Sequence, residues 1–391
     1  MNLTALIGRS VAAIDTPALV IDLDAMQRNL EHMQRFATLH GMRLRPHAKM
    51  HKSAVLALLQ MQAGAVGVCV QKPSEAAAMV AGGVTNVYVS NQVIALLKCE
   101  LLAQLNKGLA VKNGQISVAV DCLLGIQHLA QAMATHGAGS RMDVYVEIDV
   151  GQARCGVPPG EAALPLVQAI AHHASTTGSL RFAGLQAYHG RAQHLRSAAE
   201  RRAAIVRVVM DVQRTKALIE AAGFTVPLVT GAGSGTFCHE ATSGVYGELQ
   251  AGSYLFMDAD YAANEADPQQ PQFEHALFVK SQVMSRSKPS ANGTADDRAV
   301  VDAGHKSHAI DSGLPKPWAG HGANWAFSNG GDEHGILRGT ALPELGDTVW
   351  LVPGHCDPTV NLHSHMVGVR GGLVHGTVEE IIRVDARGAL T

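Results

Sequence analysis

A lysine that closes an apolar strand loses part of its hydration, its pKa falls, and the amine can then form a Schiff base with a carbonyl. Lys49 ends such a run, Arg43 to Lys49, with His47 and His51 on either side to tune it. The plain alternative is a salt-bridged lysine on a rim, and Lys52 is a second amine three residues on. Farther along, Gly231-Ala232-Gly233-Ser234-Gly235-Thr236 offers backbone N–H groups with little side-chain obstruction, which suits a phosphate. Such turns also occur with no ligand. Pro353-Gly354-His355-Cys356-Asp357-Pro358 is the third feature. Read as an extended segment, it turns His355 and Asp357 to one face and Cys356 to the other. An imidazole beside a carboxylate favours manganese, magnesium or cobalt, with zinc also acceptable. The competing reading is a hydrogen-bonded histidine and an aspartate capping a turn between two prolines.

Other polar groups carry less. His305, Lys306, His308, Asp332, Glu333 and His334 form a cluster that could line a pocket, whereas Arg196, Arg201 and Arg202 read as a solvated helix face. With 33 acidic against 31 basic side chains, a net charge of -2 lacks the basic footprint of a nucleic-acid partner. No apolar stretch reaches the ~18 residues that a membrane span needs. The 6 cysteines include no CxxC pair and read as reduced thiols, so a cytoplasmic address is expected.

These groups need elements to hold them. Short β-branched runs at 43–49, 67–70, 86–90, 116–121, 143–150, 181–188, 226–230 and 247–254 alternate with alanine- and leucine-rich helical segments. Eight βα units in one stretch predict an α/β fold, a (β/α)8 TIM barrel with its reactive groups at the C-terminal strand ends. Lys49, Gln71, Arg154, Tyr188, His189, Ser234, Gly252 and Ser253 fall at or just beyond those ends. A doubly wound sheet is the alternative, but its glycine fingerprint is missing after the first strand. The polar segment 264–272 breaks the rhythm. The expected domains are a barrel over 17–263 and a smaller β-rich domain over 264–391, joined by residues 1–16. The run 17–22 is a candidate partner for the C-terminal strands.

Taken together, Arg45-Pro46-His47-Ala48-Lys49-Met50-His51-Lys52, Asp149 to Gly156, Leu185 to Gly190, Glu248 to Tyr254 and the His-x-Asp pair resemble fold-type III pyridoxal-phosphate enzymes. The resemblance is to the alanine-racemase-like superfamily, and within it to the branch of D-threonine aldolases, 3-hydroxy-D-aspartate aldolases and D-serine dehydratases. It implies that Lys49, not Lys52, carries pyridoxal 5'-phosphate. Gln71, Arg154, Tyr188, Ser234, Gly235, Gln250, Gly252, Ser253 and Tyr261 are then expected to bind the cofactor, with His189 beside Lys49 in catalysis. Gln250 stands where racemases of the superfamily have an arginine, which argues against racemisation. His355 and Asp357 are the implied metal ligands; the dehydratases look like His-x-Cys there, and the aldolases like His-x-Asp. The resemblance thus implies metal-dependent cleavage of a D-3-hydroxy amino acid, D-threonine giving glycine and acetaldehyde, by a homodimer. A dehydratase with the same cofactor is the enzyme alternative, and a protein that holds pyridoxal phosphate without turnover is the alternative from another class.

Overall fold

The computed structural model describes residues 3–288, 296–322 and 324–391. The chain opens with strand β1 (Ala18–Asp22) and helix α1 (Leu23–Leu39). Asp22 starts the helix by accepting hydrogen bonds from Asp24 N and Ala25 N, the usual work of an aspartate at that position. Met26, Leu30, Met33 and Ala37 recur at helical spacing and form its buried face.

Eight parallel strands follow: β2 (Arg43–Leu44), β3 (Val68–Val70), β4 (Asn86–Gln92), β5 (Gln115–Val120), β6 (Met142–Glu147), β7 (Leu180–Ala187), β8 (Val229–Gly231) and β9 (Glu248–Leu249). Each corresponds to one of the expected runs. They pair in the order β2-β9-β8-β7-β6-β5-β4-β3, and a parallel bridge from His47 to Cys69 closes the ring. Strand β6 shows why a parallel barrel strand is apolar without alternation: all six residues are buried, one side facing the lumen and the other the helices. Helices α2 (Ala54–Gln62), α3 (Pro73–Ala81), α4 (Leu96–Ala110), α5 (Leu123–His136), α6 (Leu164–Thr176), α7 (Ala198–Ala221) and the short α8 (Phe237–Ala241) alternate with the strands. The first strand is shorter than expected. Lys49 instead sits on a 3-10 turn, Ala48–Met50.

The second sheet holds β10 (Leu277–Ser287), β11 (Arg298–Val301), β12 (Lys316–Pro317), β13 (Trp325–Asn329), β14 (Gly335–Gly339), β15 (Thr348–Val352), β16 (His365–Arg370) and β17 (Thr377–Arg383). Its order is β13-β14-β11-β10-β1-β16-β17, with β15 pairing β10 and β12. Strand β1 therefore belongs to this sheet, antiparallel to β10 and parallel to β16, although the expected boundary at residue 17 put it with the barrel. Helices α9 (Cys356–Leu362) and α10 (Gly372–His375) complete the domain.

One hydrophobic cluster spans both parts. Leu44, Met50, Phe237 and Tyr254 from the barrel pack with α1 and with Leu277, Val279, Leu351, Cys356 and Val360 of the second domain. That shared core fixes α9 over the barrel mouth.

Candidate active site

The barrel floor under the mouth is polar but paired. Arg45 is buried and donates to Glu248 Oε1 at 3.0 Å and Asn86 Oδ1 at 2.7 Å. Thr230 Oγ1 donates to the same Glu248 oxygen, and Gln250 Nε2 donates to Thr230 Oγ1 and Gln186 Oε1. A buried charge needs such partners. Gln250 is thereby held as a neutral group below the cavity.

Above this floor lies a cavity of ≈ 500 Å³, lined by Lys49, Gln71, Arg154, Tyr188, Ser234, Gln250, Gly252, Ser253, Tyr261, His355 and Asp357. The residues expected to bind a cofactor and those expected to bind a metal thus share one chamber. Two expected residues stand outside its lining. The Gly235 N–H is taken by Gln193 Oε1 at 2.9 Å, and His189 turns its ring toward Gly151. His189 Nδ1 is buried without a hydrogen-bond partner, and burial holds the imidazole below its ordinary pKa. His194, which sequence reasoning passed over, does line the cavity, and its Nδ1 meets Asp260 Oδ2 at 2.6 Å.

Lys49 is reached from His47, whose Nδ1 accepts from Lys49 N at 3.3 Å and so starts the 3-10 turn. His47 Nε2 faces the Gln71 amide at 2.7 Å and Ser90 Oγ at 3.2 Å. Burial, with the neighbouring Lys49 charge, keeps His47 well below its ordinary pKa and therefore neutral. The expected lowering of the Lys49 pKa is corrected by its contact with Asp357. The ammonium lies 3.1 Å from Asp357 Oδ2, and that carboxylate raises the lysine above its ordinary value. Lys52 is committed elsewhere, to Glu75 at 2.8 Å and to the Ala386 carbonyl at 3.2 Å.

The Pro353 to Pro358 segment is not extended. His355 caps α9, Asp357 lies in the first helical turn, and Pro358 is accommodated there because N–H groups in that turn have no intrahelical acceptor. The helix start still brings both side chains to the cavity, while Cys356 Sγ points away to the Met257 carbonyl. Asp311 Oδ2 holds His355 Nδ1 at 2.7 Å, so Nε2 is directed toward Asp357 Oδ1, 3.8 Å away. That oxygen is buried and has no hydrogen-bond partner. A histidine held by a second carboxylate beside an oxygen without a hydrogen-bond partner among the described residues is a donor arrangement that a divalent cation would fit. Asp258, which accepts from Tyr261 N and Cys356 N, is pushed by burial up to about 6.

The cavity also fits a phosphate-bearing cofactor. Among the described residues, the N–H groups of Gly233, Ser234, Gly252 and Ser253 make no hydrogen bond within the protein, and all four residues border the cavity. A side chain at Gly252 would put its Cβ 2.7 Å from the His47 carbonyl oxygen, so the close approach of this turn to the lysine strand requires glycine. Two other expectations fail. The cluster around His305 and Lys306 pairs with Asp332 and Glu333 on the second domain, away from the cavity. Arg201 is buried rather than solvated, donating to the carbonyls of Leu195, Arg196 and Glu265.

A parallel barrel with a lysine on the turn that follows its first strand, roofed by a β domain, places the chain among the alanine-racemase-like proteins. Residues 21–260 match the family described as alanine racemase, N-terminal domain, to which the chain belongs, and residues 276–369 match a putative serine dehydratase domain. Its relatives are more specific. D-threonine aldolase of Arthrobacter sp. is 43% identical over 385 residues, covering 97% of this chain and 95% of that protein. 3-hydroxy-D-aspartate aldolase of Paracoccus denitrificans (strain Pd 1222) is 40% identical over 99% of this chain and 96% of its own length. The crystal structure of D-threonine aldolase from Filomicrobium marinum superposes with a TM-score of 0.90 at 46% identity, covering 98% of this chain and 99% of that one.

Proposed function

We propose that this chain is a pyridoxal-phosphate- and divalent-metal-dependent lyase that cleaves D-3-hydroxy amino acids, D-threonine giving glycine and acetaldehyde. The observation that carries the reading is the chamber that brings Lys49 into contact with Asp357, beside His355, and is bordered by backbone N–H groups unpaired among the described residues. Pyridoxal phosphate, when bound, supplies an electron sink for the bonds at the substrate's Cα. Lys49 would hold it covalently, and Gly233, Ser234, Gly252 and Ser253 would offer their N–H groups to its phosphate. Arg154 offers positive charge to its phenolic oxygen, and Gln250 presents a neutral amide rather than a guanidinium.

His355 and Asp357 would hold the cation, of manganese, magnesium or cobalt type, which when bound would supply Lewis acidity for the β-hydroxyl. His189 is the acceptor proposed for the hydroxyl proton; its Nε2, now facing Gly151, would turn to the chamber to do so, and burial, which lowers its pKa, favours the neutral imidazole that a base requires. Tyr188 and Tyr261 flank the chamber and exclude water. Hard donors at the cation favour cleavage over the elimination of water that a dehydratase performs. A homodimer in the cytoplasm is the setting proposed; among the described residues no helix is long and apolar enough to cross a membrane.

The test is incubation with D-threonine, D-serine and 3-hydroxy-D-aspartate, assaying glycine, aldehydes and ammonia with and without chelator. Glycine and acetaldehyde from D-threonine, lost on chelation, are expected. Oxo acid and ammonia would assign a dehydratase. Glycine from 3-hydroxy-D-aspartate far faster than from D-threonine would move the substrate to that amino acid.

A further inference from the structure

Behind the phosphate turn, outside the cavity, three side chains with metal-binding atoms converge. Cys238 and His239 lie on α8, which continues from that turn, and Asp267 comes from the segment between the barrel and the second domain. One ligand atom from each lies within 4.8 Å of the other two, and all three residues are buried. His239 Nε2 and Asp267 Oδ2 are 3.3 Å apart, on side chains only 6% and 1% exposed. Among the described residues neither atom has a hydrogen-bond partner, so the pair is close but out of hydrogen-bond alignment. Leaving two buried polar atoms in that condition is costly. The separation matches the edge of a tetrahedron whose metal–nitrogen and metal–oxygen bonds are about 2.0–2.2 Å.

We propose that Cys238, His239 and Asp267 form a second, structural cation site of the zinc type, distinct from the His355–Asp357 pair. Thiolate, imidazole and carboxylate select a borderline-soft tetrahedral ion, with water as the fourth ligand. The route in is present: Asp267 lines one surface groove and His239 another, with Arg202 bordering both. On coordination Cys238 gives its proton to solvent. The thiolate and carboxylate then bring two negative charges against the cation, while the nearby Arg201 already spends both terminal nitrogens on carbonyl oxygens. Glu240, next on α8, is turned to Thr236 Oγ1 at 2.8 Å. A bound ion would clamp the helix that follows Gly233 to Thr236 onto the interdomain segment, bracing the phosphate turn from behind.

The experiment uses the full-length holoenzyme equilibrated with zinc and freed of excess. X-ray absorption at the zinc edge should show a sulfur neighbour at about 2.3 Å, one per zinc when only the Cys238 site is filled and about half that on average when the His355–Asp357 pair also holds zinc. In an Asp357→Ala background, which removes the other ligand pair, one zinc per chain is expected, falling to none when Asp267→Asn or Cys238→Ser is added. A zinc edge with only nitrogen and oxygen neighbours overturns the proposal, as does unchanged zinc content in the Asp267→Asn or Cys238→Ser combinations. The wild-type spectrum decides the matter even where a variant fails to fold.

Discussion

The two walls of the cavity are built on opposite principles. The barrel wall draws Lys49, Gln71, Arg154, Tyr188 and Gln250 from the ends of different parallel strands, over a floor where Arg45, Glu248, Thr230 and Gln250 satisfy one another. Its groups are cationic or neutral. The second-domain wall comes from one helix start, His355 and Asp357, with Asp311 bound to the histidine and Asp258 beneath. It is anionic, and it holds an oxygen with no partner. On the proposed reading, cofactor attachment and cation binding would be separable properties resting on separate walls, which meet at the 3.1 Å contact between Lys49 and Asp357.

Removing the barrel wall's amine has the largest effect. Lys49→Ala should abolish the visible absorption of a lysine-bound cofactor and cut D-threonine cleavage by roughly 10⁴-fold or more. Borohydride labelling of Lys52 in the wild type would instead reverse the assignment of the two lysines. Asp357→Ala attacks the other wall and should cost about 10³-fold in metal-stimulated turnover, several kcal/mol of Lewis-acid stabilisation, while the cofactor absorption persists. Loss of that absorption would show that the walls do not act separately. His189→Asn is expected to slow cleavage by about 10²-fold with cofactor and metal content unchanged, as for removal of a general base. If His194→Asn carries that loss instead, the proton goes to the histidine that Asp260 orients.

The smallest effect concerns the support behind Lys49. His51 is fully buried; its Nδ1 accepts from Ser53 N at 3.1 Å and its Nε2 lies 3.2 Å from Gln60 Oε1. Burial lowers its pKa from 6.5 to about 4. Between those values the unfolded chain takes up a proton that the folded chain refuses. Stability contributed by the neutral ring is therefore complete above about pH 6.5 and is lost as pH falls toward 4, by up to about 3 kcal/mol. Denaturant unfolding at a series of pH values should show His51→Gln with a flatter acid limb than the wild type; parallel curves would refute this role.

Much of this was legible because parallel barrel strands advertise themselves as short β-branched runs, and strand ends then locate Lys49, Gln71, Arg154 and Tyr188. The local shapes at the site were less so. The His-x-Asp segment was read as extended, with a turn between its prolines as the alternative; a proline in a first helical turn costs no hydrogen bond, and the helix start reached the same juxtaposition by another route. Arg201 looked solvated because sequence spacing cannot show that the interdomain segment folds over α7 and offers a carbonyl at Glu265. For the same reason Asp267 gave no signal as a neighbour of His239. Strands β13 and β14 give little sequence signal, since the mixed polarity of the first and the terminal glycines of the second obscure the alternation of a half-buried hairpin.

The position of β1 between β10 and β16 has a consequence for how the chain is made. Val20 pairs with Phe278 on one side and Val367 on the other. At ~5–20 residues per second, the ribosome delivers the second partner roughly 20 to 70 seconds after the first strand emerges. Once Leu249 has emerged the barrel can close while β1 still lacks its β16 neighbour. The anionic wall is thus made late, and a nascent chain carries the lysine before the aspartate that faces it.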